Sequence, residues 1–120
     1  MIALDPRTMA RNAVSQSSRP ATVILFDSAD LRLVVFRLKP GQSVPPHRSP
    51  SSVVLTVLDG EGWVSDASGE RACSSGDVVC YTPTELHGMR AGDAELHLLA
   101  TITPRPGERP FVTFEPAGDA

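Results

Sequence analysis

Apolar residues in this chain come in short runs, each closed by a turn cluster. Thr22-Val23-Ile24-Leu25-Phe26 is the first, ended by Asp27-Ser28-Ala29-Asp30. Leu31-Arg32-Leu33-Val34-Val35-Phe36-Arg37-Leu38 follows and stops at Lys39-Pro40-Gly41. Val53-Val54-Leu55-Thr56-Val57-Leu58 runs into Asp59-Gly60-Glu61-Gly62, and Asp-Gly between apolar runs predicts a hairpin. Further strands are predicted at Trp63-Val64-Ser65, Asp77 to Tyr81, His87 to Arg90 and Glu95 to Ile102. No window carries a helical period of apolar positions. Roughly eight or more short strands with regular turn signals predict an all-β sandwich or barrel. The 11 prolines fit turns and sheet edges better than helix interiors.

The two ends read differently. Residues 1–20 are polar and close on Ser15-Gln16-Ser17-Ser18-Arg19-Pro20, which predicts a flexible or irregular arm, ordered at most by packing on a partner subunit. Residues 21–103 form the predicted barrel. Residues 104–120 are a proline-punctuated tail in which Phe111-Val112-Thr113-Phe114 predicts a last edge strand.

At 120 residues the chain suits one domain, large enough for one core. The net charge of -3 is spread along the sequence, without the basic runs that nucleic-acid binding uses. No apolar stretch approaches a membrane span, and the first residues lack a signal pattern, so a soluble cytoplasmic protein is predicted. Cys73 and Cys80 flank the turn Ser74-Ser75-Gly76-Asp77. In that compartment they are expected as plain strand thiols rather than a disulfide.

The stretch GQSVPPHRSPSSVVLTVLDG, Gly41 to Gly60, resembles the first motif of the cupin family, G-x5-H-x-H-x3,4-E-x6-G. Gly41, His47 and Gly60 fall in register. GDVVCYTPTELHGMRAGD resembles the second motif, G-x5-P-x-G-x2-H-x3-N. There Gly76 and His87 match, while Thr82, Thr84 and Ala91 replace the proline, the glycine and the asparagine. The resemblance covers roughly Leu31 to Ile102. It implies a double-stranded β-helix, or jelly-roll, barrel.

It also implies a metal site, which the family builds from three histidines and a glutamate. Carried over by position, those ligands are His47, Ser49, Val53 and His87, so only the two histidines remain. Two imidazoles suit zinc, nickel, iron or copper alike and hold any of them weakly without a third ligand. A single divalent metal, weak or absent, is the cofactor expectation. Candidates for the third ligand are Cys80, Glu85 and His97. Cys80 and Tyr81 have opposite parity, so at most one of them faces inward, and His97 reads first as an ordinary strand residue.

Strand alternation puts Ser49, Val53, Leu55 and Val57 on the inward face with His47, and Arg48 on the outward one. A largely apolar pocket is therefore expected, lined by Ser49, Val53, Leu55, Val57 and Met89, with His47 and His87 as its chemistry. Trp63 reads as packing before ligand stacking. Three functions remain open. His47 and His87 could serve as base and acid, or hold a metal that polarises a carbonyl, in an isomerisation or cyclisation. The pocket could bind or sense a small molecule without catalysis. Or the site could be vestigial, in a barrel packed shut. The resemblance further implies a homodimer, for which the arm and the tail strand offer edges.

Overall fold

The computed structural model describes residues 1–15 and 17–106. The predicted tail strand at Phe111 to Phe114 lies outside them. Among the described residues there are seven strands and one short helix: α1 (Pro6–Arg11), β1 (Ala21–Asp27), β2 (Arg32–Leu38), β3 (Ser43–His47), β4 (Ser52–Asp66), β5 (Gly69–Ser74), β6 (Val78–Tyr81) and β7 (His87–Thr103). Every ladder is antiparallel.

Two long strands, β4 and β7, make the fold. They pair along most of their length, from Ser52↔Thr103 to Ser65↔Gly88. Each serves two layers. The first half of β4 pairs with β6, and the second half of β7 pairs with β2, which carries β1. The second half of β4 pairs with β5, and the start of β7 pairs with β3. The result is a jelly roll whose layers share their central strands.

Asp59-Gly60 is therefore not a hairpin. The β4 strand bends through it, with register shifts at Val57/Asp59 and Gly60/Gly62. Gly60 sits at φ +83, and a Cβ there would overlap the backbone carbonyl of Glu95 on β7. The glycine permits close approach of two strands at a bend, which bulges and glycine also achieve in other sheets. Likewise the two strands expected around residues 87–102 are one continuous strand.

The core is the inward face of these strands. Val34, Phe36 and Leu38 alternate on β2, Val53, Leu55 and Val57 on β4, and Leu96, Leu98, Ala100 and Ile102 on β7, all almost fully buried. Burying side chains of this size stabilises by about 1.5–3 kcal/mol each.

The arm differs from its predicted form. Asp5 caps α1 by accepting the Thr8 N–H, Pro6 stands in the first turn, and Ala10 is fully buried. The helix packs its apolar side with Val35, Leu58 and Leu99 on the outer face of the barrel of its own chain. Arg37 of β2 donates to the carbonyls of Arg11 and Ala13, both at 3.0 Å, and so holds the end of the arm. At six residues α1 is too short to show a period, although Asp-Pro is a recognisable helix start.

Candidate functional site

His47 ends β3 and His87 begins β7, and the two face each other directly in the ladder. Their ring centroids are 4.2 Å apart, with planes inclined by 54°. Both are buried, at 8% and 7% exposure. Each is oriented by the backbone two residues before it. His47 Nδ1 donates to the Pro45 carbonyl at 3.0 Å, and His87 Nδ1 donates to the Glu85 carbonyl at 3.1 Å. A carbonyl only accepts, so both Nδ1 atoms carry protons. In the neutral ring Nε2 is then the lone-pair nitrogen.

Burial keeps these rings neutral. It lowers the basicity of His47, and it pushes His87, with a smaller contribution from the neighbouring His47, down to about 4. At pH 7 a group at about 4 is protonated in about one molecule in a thousand.

Beneath the rings lies a cavity of about 10 Å³, lined by Phe36, Val44, Val53, Leu55, Met89 and Ala100 besides the histidines and Gly88. That is room for about one water molecule. Val53, Leu55 and Met89 therefore meet the two histidines here. Val57 is buried in the core but does not line this cavity. Ser49 does not line it either: its Oγ accepts the Ser51 N–H at 3.1 Å, and its carbonyl accepts the Thr84 N–H at 2.7 Å. The β3 strand stops at His47, so alternation cannot be carried through the loop to Ser49. Phe36, Val44 and Ala100 complete the lining from stretches where no motif residue marks them.

The loop before His87 holds Thr84 at φ +68. This is the position where the family motif has glycine. A β-branched residue is strained in that region. The Thr84 N–H bond to the Ser49 carbonyl, and the bond of 2.8 Å from Arg48 to the Thr84 carbonyl, clamp the two histidine loops together.

The three candidate third ligands lie elsewhere. Cys80 is exposed and outward, whereas Tyr81 is buried at 4% exposure. The Tyr81 ring lies 5.0 Å from His87, its hydroxyl donates to the Ser65 carbonyl, and burial pushes its own pKa up to about 12. Glu85 turns back to accept from the Thr82 N–H and hydroxyl. His97 lies on the outer face, bonded through Nε2 to Glu95 at 2.8 Å. Both cysteines are free thiols. Trp63 packs beneath the Arg90 guanidinium, 4.9 Å from its ring centroid.

The donor set does not fit the family's metal. Val53 is a core residue, and among the described residues no group of three histidine, cysteine or acidic side chains converges.

A bent, two-layer jelly roll with a histidine pair on adjacent strand ends defines a cupin. The Cupin domain family pattern matches residues 34–102, and the chain belongs to that family. Solved structures agree in fold. The TT1209 protein from Thermus thermophilus superposes with a TM-score of 0.78 at 26% identity, covering 88% of this chain and 100% of that one. An RmlC-like cupin protein from Desulfovibrio desulfuricans gives 0.69 at 27%, covering 78% and 91%. The DMSP lyase DddQ from Ruegeria pomeroyi gives 0.71 at 20%, covering 88% and 58%. No curated protein matches in sequence. No helix among the described residues is long and apolar enough to cross a membrane.

Proposed function

We propose that this chain is a small-molecule-binding cupin in which His47 and His87 act as neutral hydrogen-bond acceptors for a ligand's N–H or O–H group. The observation that carries this reading is the pair of Nδ1–H bonds to backbone carbonyls, which turns both Nε2 lone pairs into the acceptors. A donor group of about a water's size matches the space beneath the rings. Val53, Leu55 and Met89 form the apolar surface around it, as ligand pockets combine a few placed polar atoms with an apolar lining.

Catalysis is the second reading, favoured by the close approach of the two rings. A neutral imidazole is in the correct state for a general base, so the base role suits either ring. The acid role suits neither near pH 7, because an effective acid has a pKa near the working pH. In both readings the chain works in the cytoplasm as a homodimer. The edge strand β1, with Ile24 exposed, supports pairing between copies.

The test is ligand-observed NMR with a library of small amines, alcohols and amides, on wild type and on a His47→Phe/His87→Phe variant. Hits that bind wild type and are lost in the variant are expected. Metal content is measured beside it on untagged protein. About one metal per chain, lost in His47→Ala and in His87→Ala, would overturn the acceptor reading.

A further inference from the structure

A second cavity has the core side chains Val64 and Tyr81 in its wall. It measures about 260 Å³ and opens between the end of β4, the start of β5, and β6. β5 and β6 pair with different halves of β4, and no ladder joins the two, so the layers part there. Tyr81 is its aromatic wall. The Tyr81 hydroxyl is anchored across the gap on the Ser65 carbonyl at 2.8 Å, and the ring reaches His87. One side chain thus borders both the groove and the histidine pair.

The charges in the groove are not paired with one another. Glu70 is neutralised by the two bonds it accepts from Arg90, at 2.6 and 2.9 Å. Asp66 accepts the Ser68 N–H, and Glu85 accepts from Thr82, so both have neutral hydrogen-bond partners. Arg71 also lines the groove, and among the described residues it forms no ion pair. Two carboxylates and one guanidinium, with Tyr81 and Val79 between them, are complementary to a molecule carrying both an ammonium and a carboxylate.

We infer that this groove, rather than the small cavity at the two histidines, receives a small zwitterion of amino-acid size. Its ammonium lies toward Asp66 and Glu85, its carboxylate toward Arg71, and its carbon skeleton against Tyr81. The inference rests on the ligand-binding reading above and relocates the bulk of the ligand. The contrast between about 260 Å³ in the groove and about 10 Å³ at the histidines favours it. Glu85 ties the groove to the histidines, because its carbonyl is the acceptor that orients His87.

The experiment is a titration of the ¹⁵N-labelled full chain with glycine, alanine, lysine and glutamate, followed by amide chemical shifts. Saturable shifts are expected at Ser65, Asp66, Ser68, Arg71, Cys80, Tyr81 and Glu85 for at least one of the four. Arg71→Ala and Asp66→Asn should each weaken that binding about tenfold or more, as expected for a lost ionic contact of about 1.4 kcal/mol, with the rest of the spectrum unchanged. Shifts centred on Val53, Leu55, Met89 and Ala100 would overturn the groove and leave the ligand-binding reading intact. Groove shifts indifferent to both substitutions, or no saturable shift with any of the four, would overturn the zwitterion assignment. The histidine reading would still be decided by its own library and double variant.

Discussion

The three histidines occupy two settings. His47 and His87 donate Nδ1–H to backbone carbonyls, which leaves Nε2 as the acceptor nitrogen of the neutral ring. His97 does the reverse on the outer face. Its Nε2 donates to Glu95, and its buried Nδ1 has no partner among the described residues. Glu95 in turn accepts two bonds from Arg37, at 2.9 and 3.2 Å, and Arg37 holds the arm. Arg37 first, and His97 second, hold the Glu95 carboxyl down at about 2. All three imidazoles are buried on strands, so burial does not tell them apart. What differs is the partner. A backbone carbonyl takes the Nδ1 proton and makes Nε2 the acceptor, whereas a carboxylate already fixed by arginine makes its histidine part of the scaffold.

The largest expected effect breaks this contrast through pH. The folded-state pKa of His87 is depressed from 6.5 to about 4. Its contribution to stability is therefore fully present above pH 6.5 and is lost as pH falls toward 4, because the unfolded chain takes up the proton first. The loss should reach about 3 kcal/mol across that window. Denaturant unfolding between pH 7 and 4.5 measures it, and the slope should shrink in His87→Phe while persisting in His97→Gln.

A smaller effect is expected at the outer network. Glu95→Ala removes the acceptor of both Arg37 and His97. It should cost about 2 kcal/mol, since hydrogen bonds to a charged group are worth more than neutral ones but this carboxylate is partly screened by solvent. Unfolding at pH 7 gives the value, and faster hydrogen exchange in α1 should accompany it. Unchanged exchange in the arm would show that Arg37 holds it without Glu95.

The smallest effect has the opposite sign. Thr84→Gly relieves a positive φ at the clamp between the two histidine loops. It should stabilise the protein by about 1 kcal/mol, somewhat reduced by the greater freedom of glycine in the unfolded chain. A rise in melting temperature with unchanged ligand binding is expected. If ligand binding falls, the strain serves to hold the histidines in place.

Much of the barrel was legible from sequence because Gly41, Gly60, Gly76 and the two histidines fix the spacing of its bends. The pocket wall was legible where the strands are regular, at Val53 and Leu55 on β4 and Met89 on β7. Val53 and Leu55 followed from alternation, whereas Ser49 did not, because the strand ends at His47 and parity resets in the loop. Asp59-Gly60 looked like a hairpin because a sharp bend between layers needs the same residues as a turn. β3 was hidden by Pro45 and Pro46, which an edge strand tolerates. The Arg37–Glu95–His97 network joins residues that alternate on two strands, so only the register Arg37↔His97 reveals it. The groove depends on where two layers part, which no local pattern encodes.

His47 and His87 are, on this geometry, neutral and Nδ1-protonated acceptors. Long-range ¹H–¹⁵N NMR of the imidazole side chains at pH 7 tests it most directly. Both residues are expected to show a protonated Nδ1 and a lone-pair Nε2 at pH 7, and His87 to keep them down to pH 5.5. Nε2-protonated rings, or charged rings at pH 7, would contradict it.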